Sequence, residues 1–314
     1  GYNGYDYWRI MSACHSIHNY SGPMPRQSQS FQTPAHFVSQ WHGYGSNFRE
    51  TAGELVWQAL VSDYDAFTNY ATFADFGPFW PDFTITCGAA AMRDSYAETQ
   101  TGISTLLRGA KRRQDGIALH YSQVSAHVAS LGLVPGLDLR VFHDNQTSLE
   151  RLITDLGYQF RYVAYEEIEQ GALVKDGFRV LMLPCSTALS DREVAQIQAF
   201  AEQGGLVVGD VLAGLYDGHG KARAAGALDD FFGVRRGKAA LDGDVAEIAC
   251  DARFAAGATG KVKRGESALL AVDGEAMGSL GGKHPALVRK AHGRGAGVLL
   301  NAVMADYNVF RAGG

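Results

Sequence analysis

The stretch GIALHYSQVSAHVASLGL, Gly116 to Leu133, decides how this chain is divided. Ile117–Tyr121 is a short apolar run typical of a strand, and a Ser-Gln-Val-Ser turn and a stretch compatible with a helix follow it. Immediately upstream, Leu106 to Arg113 has the basic composition of a helix C-terminus, where cations compensate the helix dipole. A helix that ends just before a new strand–helix pattern indicates a domain boundary near residue 115.

Downstream of the boundary, strand and helix patterns alternate. Strands are predicted at Ile117–Tyr121, Tyr158–Tyr165, Phe178–Pro184, Leu206–Gly209 and, near the end, Gly297–Val303. Helices are predicted at Leu149–Leu156 and Asp191–Gln203, the second one with Ser190 as its N-cap and Gly204-Gly205 as its stop signal. This alternation predicts an open, mostly parallel sheet flanked by helices.

Upstream of the boundary, the patterns predict a strand–helix–strand unit. The predicted elements are strands at Tyr7–Ser12, His36–Trp41 and Asp65–Phe73, a helix at Gly53–Val61, a loop at Ala74–Cys87 and a long helix at Ala97–Arg113. Such units build β/α barrels, in which the loops at the carboxyl ends of the strands form the active-site face.

Composition narrows the classes of function. The net charge of -5 argues against a nucleic-acid partner, because phosphate contacts need a concentrated basic patch. The four cysteines are scattered, which predicts neither a zinc ribbon nor a disulfide framework, and no apolar run is long enough to span a membrane. No cofactor is expected. Gly1 is not an initiator Met, so a start inside a longer protein is expected, and bacterial cytoplasm, periplasm and secretion all stay open as locations.

All four tryptophans fall within the first 100 residues. Flat aromatic rings stack on sugar faces while their polar edges form hydrogen bonds, so this enrichment suits a carbohydrate cleft, although it also suits an aromatic core. The candidate sugar platforms are Trp41, Tyr44, Tyr70 and Trp80, with ordinary packing as the alternative.

Several motifs, taken in order, resemble the glycoside hydrolase family 42 group. They are GIALHYSQVSAH at 116–127, Val180–Pro184 with Ala188–Ser190, Ala201–Asp210, Asp217–Lys221 and Gly226–Gly233. The resemblance covers roughly residues 50 to 310 and implies two domains. Residues 1–114 would be the C-terminal segment of a (β/α)8 barrel whose earlier strands lie before Gly1. Residues 115–314 would be a β-galactosidase trimerisation domain, flavodoxin-like and class I glutamine-amidotransferase-like, in a homotrimer.

The same resemblance places a nucleophilic Glu at the end of the seventh barrel strand. If His36–Trp41 is that strand, the matching position is Gln40, whose amide has no anionic oxygen to attack an anomeric carbon. Three alternatives stay open. Glu50 or Glu54 carries the role, or the barrel is divergent and only binds, or other groups such as His42 or a tyrosine serve a different carbohydrate reaction.

The histidines form a second candidate cluster. His15 and His18 follow the predicted strand Tyr7–Ser12, and His42 follows the next strand, so the three imidazoles are expected to converge at one edge. Converging imidazoles bind a transition metal, act as acid or base near neutral pH, or donate hydrogen bonds to sugars. We predict no metal and assign His15 and His18 to substrate binding.

The second domain is predicted to be structural. An amidotransferase needs a Cys on a strand-to-helix elbow, and the segment Gly209-Asp210-Val211 after one strand offers no thiol. Cys185 follows an earlier strand without the glycine neighbours of an elbow, so we expect it to be a small buried residue. His219 is expected to shape a loop.

Together these features predict a carbohydrate-active protein, leaning towards a glycosidase of β-galactosidase type that acts on oligo- or polysaccharide. The rival class is a non-catalytic carbohydrate-binding or assembly protein on the same scaffold, and Gln40 is the feature that separates the two. A flavodoxin-type cofactor protein ranks third, because no phosphate-binding loop follows Ile117–Tyr121 beyond Ser122 and Ser125.

Overall fold

The computed structural model describes residues 5–19, 24–42, 48–69, 77–110, 112–244, 246–255 and 259–312. The chain divides into two compact units, one of them Asp6–Arg113 and the other formed mainly by Gln114–Gly314. Both units are α/β with parallel strands. Among the described residues, no helix has the length and hydropathy of a transmembrane segment.

The first unit contains a three-stranded parallel sheet in the order β1-β2-β3. The strands are β1 (Ser16–Asn19), β2 (Phe37–His42) and β3 (Ala66–Asn69). The helices are α1 (Tyr7–Ala13), α2 (Met24–Phe31), α3 (Arg49–Val61), α4 (Cys87–Thr99) and α5 (Ile103–Gly109). The predicted strand–helix–strand unit is confirmed as β2, α3 and β3, while residues 70–73 of the predicted third strand lie outside the described residues.

Two predictions for the first unit are wrong. The segment predicted as the strand Tyr7–Ser12 is helix α1, because the Asp6 carboxylate caps it by accepting the Arg9 N–H at 3.2 Å and Met11 is buried on its inner face. The long helix predicted over Ala97–Arg113 is two helices, α4 and α5, because Gly102 takes a left-handed conformation, φ +107°, that a continuous helix cannot contain.

The second unit is built on a seven-stranded sheet in the order β12-β15-β16-β7-β6-β4-β5. Its strands are β4 (Ile117–Tyr121), β5 (Phe160–Ala164), β6 (Val180–Leu183), β7 (Leu206–Gly209), β12 (Glu275–Ala276), β15 (Leu287–His292) and β16 (Gly295–Leu300). The five strands from β16 to β5 run parallel, and β15 and β12 complete one edge in antiparallel pairing. The predicted mostly parallel sheet is confirmed.

Helices and small sheets surround this sheet. The helices are α6 (Gln123–Ser130), α7 (Leu139–Asp155), α8 (Tyr165–Glu169), α9 (Ala172–Lys175), α10 (Asp191–Glu202), α11 (Asp229–Phe232), α12 (Ala252–Ala255) and α13 (Tyr307–Ala312). The remaining strands, in two small antiparallel sheets, are β8 (Val234–Arg236), β9 (Ala246–Cys250), β10 (Thr259–Val262), β11 (Leu269–Ala271), β13 (Gly278–Leu280) and β14 (His284–Pro285). These elements cover the apolar strands, so that Leu119, Leu181 and Val207 are fully buried.

The predicted N-cap of α10 is confirmed as a capping box. Ser190 Oγ accepts the Glu193 N–H at 3.1 Å, and the Glu193 carboxylate accepts the Ser190 N–H at 2.7 Å. Each group satisfies a backbone donor that would otherwise be left without a partner at the helix start.

Candidate functional site

The carboxyl edge of the three-stranded sheet is the place where the sequence predicts a site. The register pairs Asn19 with Gln40 across β1 and β2, and Gln40 with Phe67 across β2 and β3. Since register partners on parallel strands present their side chains on the same face, these three residues share one face of the sheet.

That shared face is covered by helices. Phe67 packs against Ala52 and Val56 of α3 and Met92 of α4, and Asn19 Oδ1 accepts a hydrogen bond from Ser28 Oγ of α2 at 2.9 Å. Side chains alternate along a strand, so the residues next to this set lie on the opposite face. The strand-end side chains of the sheet therefore divide into a helix-covered set and an opposite-face set.

Gln40 belongs to the helix-covered set. Its side chain is 8% exposed, and among the described residues no partner donates to its Oε1. Asn19 beside it is fully buried, and its Nδ2 likewise finds no acceptor in the described part of the chain. The catalytic position assigned to Gln40 stays a prediction, and its amide lies against helices, on the face away from His18.

The two glutamates offered as alternatives both lie in α3 (Arg49–Val61). Glu50 is in the first turn of the helix, as an N-terminal dipole partner would be, and Glu54 is exposed. Their catalytic role stays a prediction.

The three histidines occupy different places along the sheet. His15 precedes β1 and its carbonyl accepts the Phe37 N–H at 2.8 Å, so it lies at the amino end of the strands, roughly 13 Å along β1 from the carboxyl edge. His18 is near the carboxyl end of β1, and His42 is the last residue of β2. The expected convergence of three imidazoles is wrong for His15, because the preceding segment is α1 and the strand begins only after it.

His18 has a partner that the sequence analysis missed. Its Nδ1 lies 2.5 Å from Ser39 Oγ on the neighbouring strand, and the register pairs the two residues. No sequence motif links positions 21 residues apart; only the pairing of two predicted strands in a fixed register would have found this contact. Among the described residues, no group of three or more His, Cys, Asp or Glu side chains is arranged to hold a metal ion.

The aromatic candidates are partly described. Trp41 is half-buried on β2, on the same face as Ser39, and Trp80 is 43% exposed in the turn that precedes α4. Tyr44 and Tyr70 lie outside the described residues. The predicted platform roles of these residues stay predictions.

The turn that carries Trp80 also holds an aromatic residue that the sequence analysis passed over. Phe83 is 73% exposed and has a left-handed backbone, φ +65°. Hydrogen bonds from Thr84 N–H and Oγ1 to the Asp82 carboxylate, at 3.0 and 2.6 Å, brace the turn and hold the pKa of Asp82 below its usual value. The Pro-Asp-Phe-Thr sequence was the available signal, because Asp side chains commonly bond to backbone two residues on.

One tyrosine near the sheet is unsuited to act as a base. Tyr64, just before β3, is buried, and burial raises its pKa to about 12. A phenol with that pKa stays protonated at neutral pH and does not act as a base.

The second unit has its own carboxyl edge, where Cys185 follows β6. Its backbone is left-handed, φ +42°, which is the conformation of a nucleophile elbow despite the absence of flanking glycines. The side chain is fully buried, with Asn145 Nδ2 3.3 Å from Sγ, and burial raises the pKa of the thiol well above its ordinary value. The prediction of a small buried cysteine is confirmed, and the thiol has neither the charge nor the access of a nucleophile.

A second buried constellation at this edge was not predicted. The His120 ring lies between Ser186 Oγ, 2.8 Å from Nδ1, and Glu193 Oε1, 2.9 Å from Nε2. These three residue types form catalytic triads elsewhere, but here all three side chains are buried and tie β4, the loop after β6 and α10 together. The burial indicates a structural role for these three side chains, and the structural role predicted for the whole second unit stays a prediction.

Comparisons with known proteins place this fold. The sequence matches no protein-family model and no curated protein. A cold-adapted β-galactosidase from Rahnella sp. R3 superposes with a TM-score of 0.80 at 14% identity, covering 99% of this chain and 52% of that one. A GH42 β-galactosidase from G. stearothermophilus gives a TM-score of 0.76 at 11% identity, covering 99% and 50%. An α-L-fucosidase from Paenibacillus thiaminolyticus gives 0.58 at 14% identity, covering 97% and 48%.

These likenesses define the class of fold. The chain has the mixed α/β fold of GH42 β-galactosidases, and it spans about half the length of each of the two β-galactosidases named above. At such low identity the likeness shows the fold, and chemistry has to be argued from the site.

Proposed function

We propose that this chain is part of a carbohydrate-active protein of glycoside hydrolase type, β-galactosidase-like in architecture, that acts on oligo- or polysaccharide. The observation that carries the proposal is the likeness to β-galactosidases over 99% of the chain, through both units, at TM-scores up to 0.80. Sequence identity of 11–14% leaves the proposal dependent on the residues of the site.

Each of the two units is proposed to have its own role. We propose that residues 1–114 close a (β/α)8 barrel whose other strands precede Gly1, and that residues 115–314 form an amidotransferase-like trimerisation domain. The buried Cys185 and the buried His120 network support a non-catalytic role for the second unit, because these side chains fill the strand edge at which an amidotransferase would bind its substrate. Light scattering on the full-length protein should give three times the mass of one chain, and a monomer would contradict this part.

The sugar is proposed to bind at the carboxyl edge of β1–β3. His18 and Trp41 lie on the face of the sheet opposite the helices, and Trp80 is exposed in the turn before α4. Aromatic rings beside a polar donor are the usual composition of a pyranose site.

The test is hydrolysis by the purified full-length protein. A panel of aryl glycosides that includes β-galactoside, β-mannoside and α-fucoside should reveal turnover, with the β-galactoside expected to be cleaved fastest. Absence of hydrolysis of every member, in protein shown to be folded and assembled, would overturn the hydrolase proposal.

A second candidate function is non-catalytic sugar binding on the same scaffold. It is favoured by one observation: of the strand-end side chains that the structure describes on β1–β3, which include Asn19, Gln40 and Thr68, none is a carboxylate. Retaining glycosidases need two carboxyl groups about 5 Å apart. Oligosaccharide binding measured by calorimetry in a protein without hydrolysis would favour this candidate. An Asn-Glu pair that ends a strand upstream of Gly1 would instead supply a proton donor and favour the enzyme.

A further inference from the structure

The contact between His18 and Ser39 has features of a built recognition element. The residues are register partners on parallel strands, and both lie on the face opposite the helices. Ser39 is fully buried, whereas His18 is exposed. A rigid, buried hydroxyl thus holds one end of an imidazole whose other end reaches solvent.

The hydroxyl of Ser39 lies between two hydrogen-bond partners. Its Oγ is 2.5 Å from His18 Nδ1 and 3.4 Å from the Ile17 carbonyl oxygen, so Nδ1 is the nearer partner. With the hydroxyl proton directed at Nδ1, the neutral ring carries its hydrogen on Nε2; with that proton directed at the carbonyl oxygen, Nδ1–H donates to Oγ instead. The first tautomer presents Nε2–H as a donor for a ligand.

Trp41 completes the arrangement. It is two residues beyond Ser39 on β2 and therefore on the same face, with its Cα roughly 8 Å from that of His18 by strand geometry. This spacing brings an aromatic ring and a polar side chain close enough to contact one sugar.

We propose that Ser39 is a positioning residue that holds His18 with Nε2–H as the hydrogen-bond donor to a hydroxyl oxygen of a neutral pyranose stacked on Trp41. The proposal rests on the proposed function for its ligand class, and it holds for either a hydrolase or a binding protein. It assigns a role to Ser39, which no sequence motif marks, and it makes His18 a donor in place of a metal ligand or a base.

The experiment uses the full-length protein and two probes, methyl β-galactoside and methyl β-mannoside, with affinity measured by calorimetry. His18→Ala should weaken binding about tenfold, the effect of one lost hydrogen bond. His18→Gln, whose amide NH2 can occupy the place of Nε2–H, should keep affinity within about threefold. Ser39→Ala should weaken binding by an intermediate factor, while Ser16→Ala, an exposed change on the same face at the amino end of β1, should have no effect.

Nitrogen NMR of 15N-histidine protein supplies a readout that a purely structural role would not move. The His18 signal, identified by its loss in His18→Gln, should show the Nε2–H tautomer in wild type and a mixed tautomer in Ser39→Ala. The Nδ1–H tautomer in wild type would overturn the proposal even if sugar binds.

The remaining outcomes distinguish failure of the role proposed for His18 and Ser39 from failure of the proposed function. Sugar binding that is unaffected by His18→Ala would overturn the role proposed for these two residues and leave the proposed function standing. Failure of wild-type protein to bind either probe at millimolar concentration would overturn the proposed sugar site itself, and with it the role proposed for His18 and Ser39.

Discussion

Replacing Asp210 by Asn should change how the stability of the second unit depends on pH. Asp210 follows β7 and is buried; Cys185 N–H donates to its Oδ1 at 2.7 Å and Asn145 Nδ2 to its Oδ2 at 2.6 Å. Burial, with a smaller contribution from the nearby Glu266 carboxylate, raises the pKa of Asp210 from 3.8 to about 8. The folded protein therefore keeps this carboxyl protonated at pH values where the unfolded chain ionises it.

The sign and size of the change in unfolding free energy follow from proton linkage. A carboxyl whose pKa is higher in the folded state contributes stability that is full below pH 3.8 and is lost as the pH rises to about 8. At roughly 1.4 kcal/mol per pH unit, the loss between pH 5 and 7.5 is about 3 kcal/mol. Asp210→Asn cannot ionise but loses about 1 kcal/mol from one hydrogen bond. Relative to its fully protonated form, wild type has already lost about 1.6 kcal/mol at pH 5 and about 5 kcal/mol at pH 7.5. The variant should thus be within about 1 kcal/mol of wild type at pH 5 and more stable, by about 4 kcal/mol, at pH 7.5.

The assay has to report on the second unit, and tryptophan fluorescence does not, since all four tryptophans belong to residues 1–100. Hydrogen exchange of the β7 amides measures the free energy of unfolding of this unit at both pH values. Asp251→Asn is the matched control, because hydrogen bonds from Arg253 lower the pKa of that half-buried carboxyl to about 2, so it stays ionised over this range. An identical stability difference at pH 5 and 7.5 would refute the reasoning, since it would mean that Asp210 does not change its protonation in this range.

Three further predictions concern single side chains. Gln40→Glu should produce no gain of aryl-glycoside hydrolysis and should cost about 1–3 kcal/mol in unfolding free energy, because the new carboxylate is buried against helices; new hydrolytic activity would show that this position is the nucleophile. In native protein, a thiol reagent should modify Cys14 and Cys87, which are exposed, and leave Cys185 unmodified until unfolding, as mass spectrometry can show; rapid native labelling of Cys185 would contradict its burial. Gly233→Ala should cost about 2 kcal/mol or more by thermal or urea unfolding, because φ is +70° and a Cβ would overlap the facing backbone; an unchanged midpoint would contradict this.

Much of the secondary structure could be predicted because it depends on local signals. The apolar run Ile117–Tyr121 is β4, and Ser190 starts α10 through a capping box that the sequence already displays. The segment Tyr7–Ser12 was mispredicted because its aromatic and aliphatic residues fit a strand as well as a helix. The contacts that decide between them, such as the edge-to-face pair of Trp8 and Phe31 at 5.4 Å, join separate elements.

The candidate site was predicted only in part. Placing His18 and Trp41 near the carboxyl edge of the sheet required only the strand assignments. His18 lies at that edge as predicted, even though its strand begins later than expected. The face on which each side chain lies could not be predicted, because it depends on which residues pair across the sheet. A shift of one residue in register moves every side chain to the other face. For this reason Gln40 was the predicted centre of the site while Ser39, its neighbour, was overlooked.

The sequence by itself determined the α/β class, the change of pattern near residue 115 and the order of the second unit's parallel strands and helices, because each of these is encoded in local periodicity or capping. Tertiary structure alone decided that Gln40 is buried against helices and that Ser39 contacts His18. It also decided that Cys185 and Asp210 are buried, which raises the pKa of both side chains. Those properties depend on strand register and on desolvation, both of which arise from residues far apart in the chain.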